Sequence, residues 1–409
     1  MSDQSKTVSP TETKRLYFED AYRREFEAAV VETLTHEGKP AVVLDQTCFY
    51  PESGGQPADS GTLGGAVVID VQEDGAKIIH VLDRELSGPA VRGAIDWGRR
   101  FDHMQQHTGQ HILSQCFTEC LAGETMSFHL GAEASTLEIG VRGASEEELG
   151  RVEGRANEIV FEGREVKTYF VAEDKIAAVP LRRPPKKSGV IRVVEVSGFD
   201  FSACGGTHVR RTGEVGLVKI IKAEKIRNNL RFEFLCGGRA LADYSQKNRA
   251  LADVAAKLSA HDKDVAAVVE KLTAESKDMR KKLRRLQEAL AVYEARDLAN
   301  KAQGPIISAV WRDKTSEEAK LLALNLIRAG EFVALFGVAG PERDHFVFAA
   351  SDKLALNMKE LVPVAQALAQ ARGGGSPSLV EMVAERGTDL EAVLAAAVRH
   401  LKNRVAVGG

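Results

Sequence analysis

Two pairs of metal-ligating side chains, far apart in the chain, constrain its fold more than any other feature. His107 and His111 stand four apart in His107-Thr108-Gly109-Gln110-His111, and Cys204 and His208 stand four apart in Cys204-Gly205-Gly206-Thr207-His208. On a helix that spacing puts two imidazoles on one face, about 5–6 Å apart at Cβ, close enough to chelate one ion. In the second stretch a thiolate and an imidazole share a short turn that two glycines let the backbone wrap. Three imidazoles and one thiolate suit Zn²⁺, one ion per chain. The fold must therefore carry the turn at 204–208 onto the helix face at 107–111.

Four protein ligands make a closed site, whereas catalysis wants an open position. Either one ligand yields, or the ion expands to five-coordinate, or it orients a substrate amine or water. The glutamate of the HExxH peptidases is missing, which counts against that chemistry. His103, one turn before His107, and His129 read either as substrate contacts or as structural histidines.

The remainder reads as an ordinary globular chain. Of 409 residues 44% are hydrophobic and 28% charged, which excludes whole-chain disorder, and roughly 100–200 residues per domain gives two to four domains. Apolar runs such as Ala28–Val31 and Phe332–Val338 are too short to span a bilayer. The polar start, Met1–Arg15, has no signal-like apolar region, so a cytoplasmic protein without a membrane partner is expected. A net charge of −3 argues against wholesale coating of nucleic acid and leaves room for local basic patches. The cysteines are too few and scattered for a disulfide framework.

The expected class is α+β in four parts. Short β-branched segments (Phe26–Leu34, Ala41–Leu44, Ala66–Val71, Lys77–Val81) predict a small N-terminal β-barrel at 16–97. Within it Thr47–Pro57 is a specially shaped loop rich in Gly and Pro. Helical periodicity at His103–Cys120 and Glu146–Phe161, with strands at Leu137–Val141, Glu165–Val171, Val190–Val196 and Val215–Ile221, predicts an α+β metal-binding domain at 98–240. A heptad series from Leu251 through Leu258, Val265, Leu272, Met279 and Leu286 to Tyr293 predicts one long helix, a coiled coil or helical hairpin, at 245–300. Its Arg280–Lys282 and Arg284-Arg285 read as a phosphate grip or a solvated face. Strands at Ile306–Val310, Val333–Val338 and Phe346–Ala349 alternating with helices at Glu317–Ala329, Met358–Ala371 and Leu390–Leu401 predict an α/β unit at 304–409, with Gly373–Gly375 either approaching a phosphate or ribose or serving as a flexible connector.

Three motifs in this order carry a resemblance: Thr47–Pro57 (TCFYPESGGQP), Arg99–Ser114 (RRFDHMQQHTGQHILS), and Cys204–Val209 (CGGTHV) followed by Thr212-Gly213-Glu214. Together they resemble the editing module of alanyl-tRNA synthetase and its free-standing AlaX relatives. The C-terminal unit resembles the DHH-associated domain of long AlaX proteins. The motifs cover about residues 16–240; beyond them the match is in layout. Asp102-His103 is followed by Met104, so the DHH phosphoesterase motif is missing. The resemblance implies a zinc-dependent deacylase of mischarged tRNA(Ala), chiefly Ser-tRNA(Ala) and then Gly-tRNA(Ala), that does not charge tRNA, because little precedes Tyr17.

By the same resemblance His107, His111, Cys204 and His208 hold the zinc. Thr47 senses the serine hydroxyl, and Gln56 with Gly54 and Gly55 shapes the pocket. Gln110 and His103 join Thr47 and Gln56 as expected catalytic groups, and His129 and Thr207 join the glycines as expected substrate contacts. Glu385-Arg386-Gly387 stands where the synthetase pattern has a second glycine pair, which leaves homodimerisation or scaffolding for the C-terminal unit. Two other readings stay open: a zinc-stabilised tRNA-binding protein without turnover, and editing of another tRNA such as tRNA(Thr).

Overall fold

A computed structural model describes residues 12–185 and 188–405. The first eleven residues of the polar start and the last four of the C-terminal unit lie outside them. The chain divides into two compact units, Met1–Asp253 and Val254–Gly409. Its class is mixed α+β, with several sheets and helices. No described helix is long and apolar enough to cross a membrane.

The first unit opens with β1 (Lys14–Arg15) and the single turn α1 (Leu16–Glu19). There follow β2 (Glu25–His36), β3 (Lys39–Leu44), β4 (Gln46–Thr47), β5 (Gly61–Leu63), β6 (Ala66–Asp74), β7 (Lys77–Leu82) and β8 (Ala90–Ile95). Six of these strands close into a barrel in the order β2-β3-β7-β6-β5-β8. Alternation drives the closure: along β6, Ala66, Val68 and Val71 are buried with Phe26, Leu44, Phe49 and Leu63 in one interior cluster. Shifts of register at Val30/Glu32 and Val68/Asp70 bend β2 and β6.

Next comes α2 (Trp97–Leu121), whose start is fixed by Asp96, the side chain of which accepts from the Arg99 N–H at 3.1 Å. It is followed by β9 (Thr125–Leu130), β10 (Ser135–Ile139), α3 (Glu146–Phe161), β11 (Val166–Val171), β12 (Ile191–Val196), β13 (Asp200–Ala203), β14 (Val218–Ile226), β15 (Asn229–Cys236) and α4 (Gly237–Leu258). These strands form two sheets, β14-β15-β10-β9 and β11-β12-β13. One apolar face of α2 (Met104, Ile112, Leu113, Cys116, Phe117) packs with α3 and both sheets in a single core. Phe117 stacks on Phe232 at 4.6 Å between ring centroids. The strand expected at Val215–Ile221 begins only at Val218, because Thr212–Val215 is a 3₁₀ turn closed by Glu214 on the Arg211 N–H.

In the second unit α5 (Val265–Lys301) is followed by β16 (Ile306–Trp311), α6 (Ser316–Ala329), β17 (Val333–Val338), β18 (Arg343–Ala350), α7 (Val362–Ala369), β19 (Arg372–Gly375), β20 (Leu379–Glu385) and α8 (Leu390–Val405). The sheet order is β16-β17-β18-β20-β19, with β16 and β17 parallel and the other pairs antiparallel. One core lies on the α5–α6 side of this sheet and one on the α7–α8 side.

Three expectations are corrected here. The single long helix is two helices, since Ser259 takes φ +50° after α4 and the His261 ring accepts from the Lys263 N–H to start the next segment. Gly373–Gly375 is an edge strand paired to β20, not a loop. The helix expected at Met358–Ala371 is a 3₁₀ turn, Met358–Leu361, and then α7 with Pro363 in its first turn.

Candidate metal centre

The ligating atoms of His107, His111, Cys204 and His208 all lie within 4.8 Å of one another. The three imidazoles are buried and Cys204 is half-buried. Cys204 Sγ stands 3.4 Å from Nε2 of His107 and 3.4 Å from Nε2 of His208. A tetrahedral ion with Zn–S near 2.3 Å and Zn–N near 2.0–2.1 Å would set such edges at about 3.3–3.7 Å. Position is enforced by two glycines. A Cβ on Gly109 would lie 2.2 Å from Cys236 Sγ, so that mid-helix glycine lets β15 close onto α2. The second is Gly206, whose N–H points at Cys204 Sγ at 3.4 Å.

Each imidazole is held from behind. His107 Nδ1 meets Gln56 Oε1 at 2.8 Å, His208 Nδ1 meets Thr108 Oγ1 at 3.1 Å, and His111 Nδ1 meets Asp200 Oδ2 at 3.3 Å. A carbonyl and a carboxylate only accept, so Nδ1–H donates at His107 and His111. The Nε2 lone pairs are then left for an ion, the pattern that outer hydrogen bonds impose on histidine ligands. Asp200 is fixed in turn by Arg182 at 2.7 Å and Ser202 at 2.9 Å.

Electrostatics follow the geometry. Burial alone would lower His111, but its hydrogen bonds to Asp200 and Cys204 outweigh it and raise its pKa to about 9. Burial would raise the Cys204 thiol, yet His107 and His208 hold it well below the ordinary thiol value. Burial, with His107 beside it, pushes His208 down to about 3. A thiolate, three inward imidazole nitrogens and a fixed outer shell are the donor set that a zinc-like cation requires.

The other expected residues divide. Gln56, fully buried in the barrel loop, touches the centre from outside: its Oε1 also accepts from the Thr207 N–H at 3.0 Å and its Nε2 donates to Thr207 Oγ1 at 2.8 Å. Gly55 lets this loop approach β9, where its carbonyl accepts from Leu130 N–H and a Cβ would meet Phe128 O at 3.0 Å. Gly54 has φ +57° and open space around it. Gln110 is buried on α2, one residue before His111, with Nε2 on Ser114 Oγ at 2.7 Å and Oε1 without a partner among the described residues. His103 is buried with Nδ1 unpartnered, and burial together with Arg99 lowers its pKa to about 4.

Thr47 is buried within the barrel domain and His129 lies on the surface. The Thr47 hydroxyl is engaged inside the barrel, 2.8 Å from His80 Nε2 and accepting from the Phe49 N–H at 3.0 Å. His129 is exposed; its neighbour Phe128 is the residue whose ring lies 5.4 Å from that of His107. Sequence reasoning passed over Asp200, Arg182 and Arg192, lone polar residues with no local motif. Thr108, inside the histidine motif, was legible as a neighbour of both ligands.

The match to known proteins agrees with this arrangement. The family model described as "Threonyl and Alanyl tRNA synthetase second additional domain" matches residues 191–232, and that described as "tRNA synthetases class II (A)" matches residues 5–99. Alanine–tRNA ligase of Pyrococcus abyssi is 32% identical over 395 residues, covering 90% of this chain and 42% of the ligase. The Pyrobaculum calidifontis ligase is 33% identical over 403 residues, covering 93% and 43%. This chain thus spans less than half the length of these relatives. The C-Ala domain of Aquifex aeolicus alanyl-tRNA synthetase matches 24% of this chain and 87% of that one, at 20% identity and a TM-score of 0.22. By sequence the chain is similar to alanyl-tRNA synthetases over most of its length, and its residues 191–232 match the second additional domain described for threonyl and alanyl enzymes.

Proposed function

We propose that the chain is an editing hydrolase that clears mischarged tRNA(Ala) in trans, chiefly Ser-tRNA(Ala) and then Gly-tRNA(Ala), of the free-standing AlaX type. The convergence of His107, His111, Cys204 and His208, with their ligating atoms within 4.8 Å of one another, carries this reading. A zinc ion bound there would supply a Lewis acid for an ester carbonyl or a bound water. An aminoacyl ester is already activated, so positioning and modest polarisation suffice.

The chain's own residues set the geometry. Gln56, Thr108 and Asp200 hold each imidazole by Nδ1. Selectivity against cognate alanine needs a group that gains from the serine hydroxyl. Since the Thr47 hydroxyl is taken up by His80, we assign that role to Gln110 Oε1, a buried acceptor one residue before His111 with no partner among the described residues. His103 and Thr207 support the pocket wall. The exposed apolar stripe of α5, including Met279, Leu286 and Tyr293, is the surface we assign to homodimerisation.

Burial of all three imidazoles favours a second reading, a closed structural metal in a tRNA-binding protein. One panel separates them: Ser-, Gly- and Ala-tRNA(Ala) incubated with metal-loaded and chelated protein. The hydrolase reading expects release of serine with little loss of alanine, abolished by chelation and reduced about 5–100-fold by Gln110→Met. Full metal occupancy with intact Ser-tRNA(Ala) at all physiological pH values leaves only the structural reading.

A further inference from the structure

The β11–β12 ladder changes character along its length. At one end Val166 faces Val196 in register, and both belong to the core. Toward the other end Phe170 faces Arg192, and there the core gives way: Phe170 is 55% exposed. Phe18 of α1 packs edge-on against Phe170, with ring centroids 5.9 Å apart. The Arg192 guanidinium stands over the Phe18 ring at 5.1 Å, and that of Arg15 at 5.8 Å. Arg192 reaches further, its Nη1 donating to the carbonyls of Cys204 and Gly206, each at 2.9 Å. One continuous run therefore leads from the metal-ligand turn, through a buried cation, to an exposed aromatic ring.

A single exposed phenylalanine needs no explanation. The cation behind this one sets it apart. Arg192 is buried and its Nε has no partner among the described residues, while its Nη1 is held by backbone carbonyls rather than by a carboxylate. Arg15 is partly spent on Glu73, 2.7 Å away. This end of the ladder thus offers an exposed aromatic ring with two guanidinium groups close behind it, which complements an anionic chain carrying flat bases.

We propose that Phe18 and Phe170, backed by Arg192 and Arg15, form a stacking platform for the unpaired 3′-terminal nucleotides of an RNA acceptor end. The proposal rests on the reading above, in that the ester to be hydrolysed sits on such an end. Every base has a π face, so a ring holds it whatever the sequence, and each stacked base contributes about 1–3 kcal/mol. Arg15, only partly buried, is the guanidinium within reach of a backbone phosphate, while Arg192, held on two carbonyls, stays behind the rings. Unpaired nucleotides are free to splay onto such a surface, whereas paired ones are not.

The test is fluorescence anisotropy with the full chain and two RNA duplexes of one acceptor stem, one with its single-stranded 3′ end and one cut blunt. Phe170→Ala should weaken binding of the overhanging duplex about 5–100-fold. It should leave the blunt duplex and the metal content unchanged, and Phe170→Trp should restore affinity. Equal losses on both duplexes, no loss on either, or no preference of the parent chain for the overhang would overturn the platform. So would a drop in oligomeric mass with unaltered RNA binding, which assigns the patch to self-association. A chain that binds the overhang through Phe170 but leaves Ser-tRNA(Ala) intact keeps the platform and overturns the hydrolase reading; hydrolysis with binding indifferent to Phe170 does the reverse.

Discussion

A Cβ placed on Gly206 would lie 2.2 Å from His107 Cε1, 2.4 Å from its Nδ1 and 2.8 Å from Gln56 Oε1. No small shift relieves three contacts at once, because Gln56 and His107 are both buried and bonded to each other. Gly206→Ala should therefore weaken metal binding at least about 10–100-fold, the range for disturbing the outer shell of a ligand. Chelator competition measures this, with far-UV circular dichroism unchanged. His80 makes a second residue-scale prediction. It sits fully buried between Val42 O and the Thr47 hydroxyl, and burial lowers its pKa to about 4. Between about 6.5 and 4 the unfolded chain binds a proton that the native state refuses, so stability is present above that window and lost as pH falls through it. The loss is on the order of 3 kcal/mol. Denaturant midpoints at pH 7 and 4.5 should fall further for the parent than for His80→Gln. The four ligands were legible because their spacing alone puts them on one helix face and one turn. The role of Gln56 was not, since its partners His107 and Thr207 are distant in sequence and nothing local marks an amide that orients a ligand.

At the scale of elements, α2 presents the ligands only because the barrel loop holds it. Arg100 is fully buried, its Nε 3.1 Å from both Asp59 carboxylate oxygens, its Nη2 on Asp59 and on Cys48 O, and its Nη1 on Ala21 O. Removing one partner leaves a buried charge uncompensated, typically at about 3–5 kcal/mol. Arg100→Met should accordingly lower the unfolding free energy from urea titration by that much, whereas Arg→Met at exposed Arg280 should leave it unchanged. Four of the six barrel strands were legible as short β-branched runs between turn residues, and the helices α2 and α3 from a period of about 3.6 residues. Strands β13 and β19 were not. The first is four residues long, and the second is Arg372-Gly373-Gly374-Gly375, whose composition reads as a loop. It becomes a strand because a Cβ on Gly373 would stand 2.1 Å from Glu381 O, so β20 packs where side chains would be. The α4–α5 break escaped notice because the heptad runs straight across it.

For the whole molecule, the two units separate the metal chemistry from the C-terminal sheet. All four ligands and their outer shell fall within Met1–Asp253. An ion bound only to the native form stabilises by RT ln(1 + [L]/Kd), about 4 kcal/mol at a thousandfold excess over Kd. Chelation should thus lower the thermal midpoint of the first unit and spare the second. The chain's two tryptophans, Trp97 and Trp311, fall one in each unit, so single-tryptophan variants report the two transitions separately. The most direct measurement is X-ray absorption at the zinc edge of purified full-length protein, with metal content determined on the same sample. One ion per chain is expected, with one sulfur at about 2.3 Å and three nitrogens at about 2.0–2.1 Å, the sulfur shell vanishing in Cys204→Ser. A coordination shell without sulfur, or one that Cys204→Ser leaves unchanged, would contradict a shared centre built from residues 107, 111, 204 and 208.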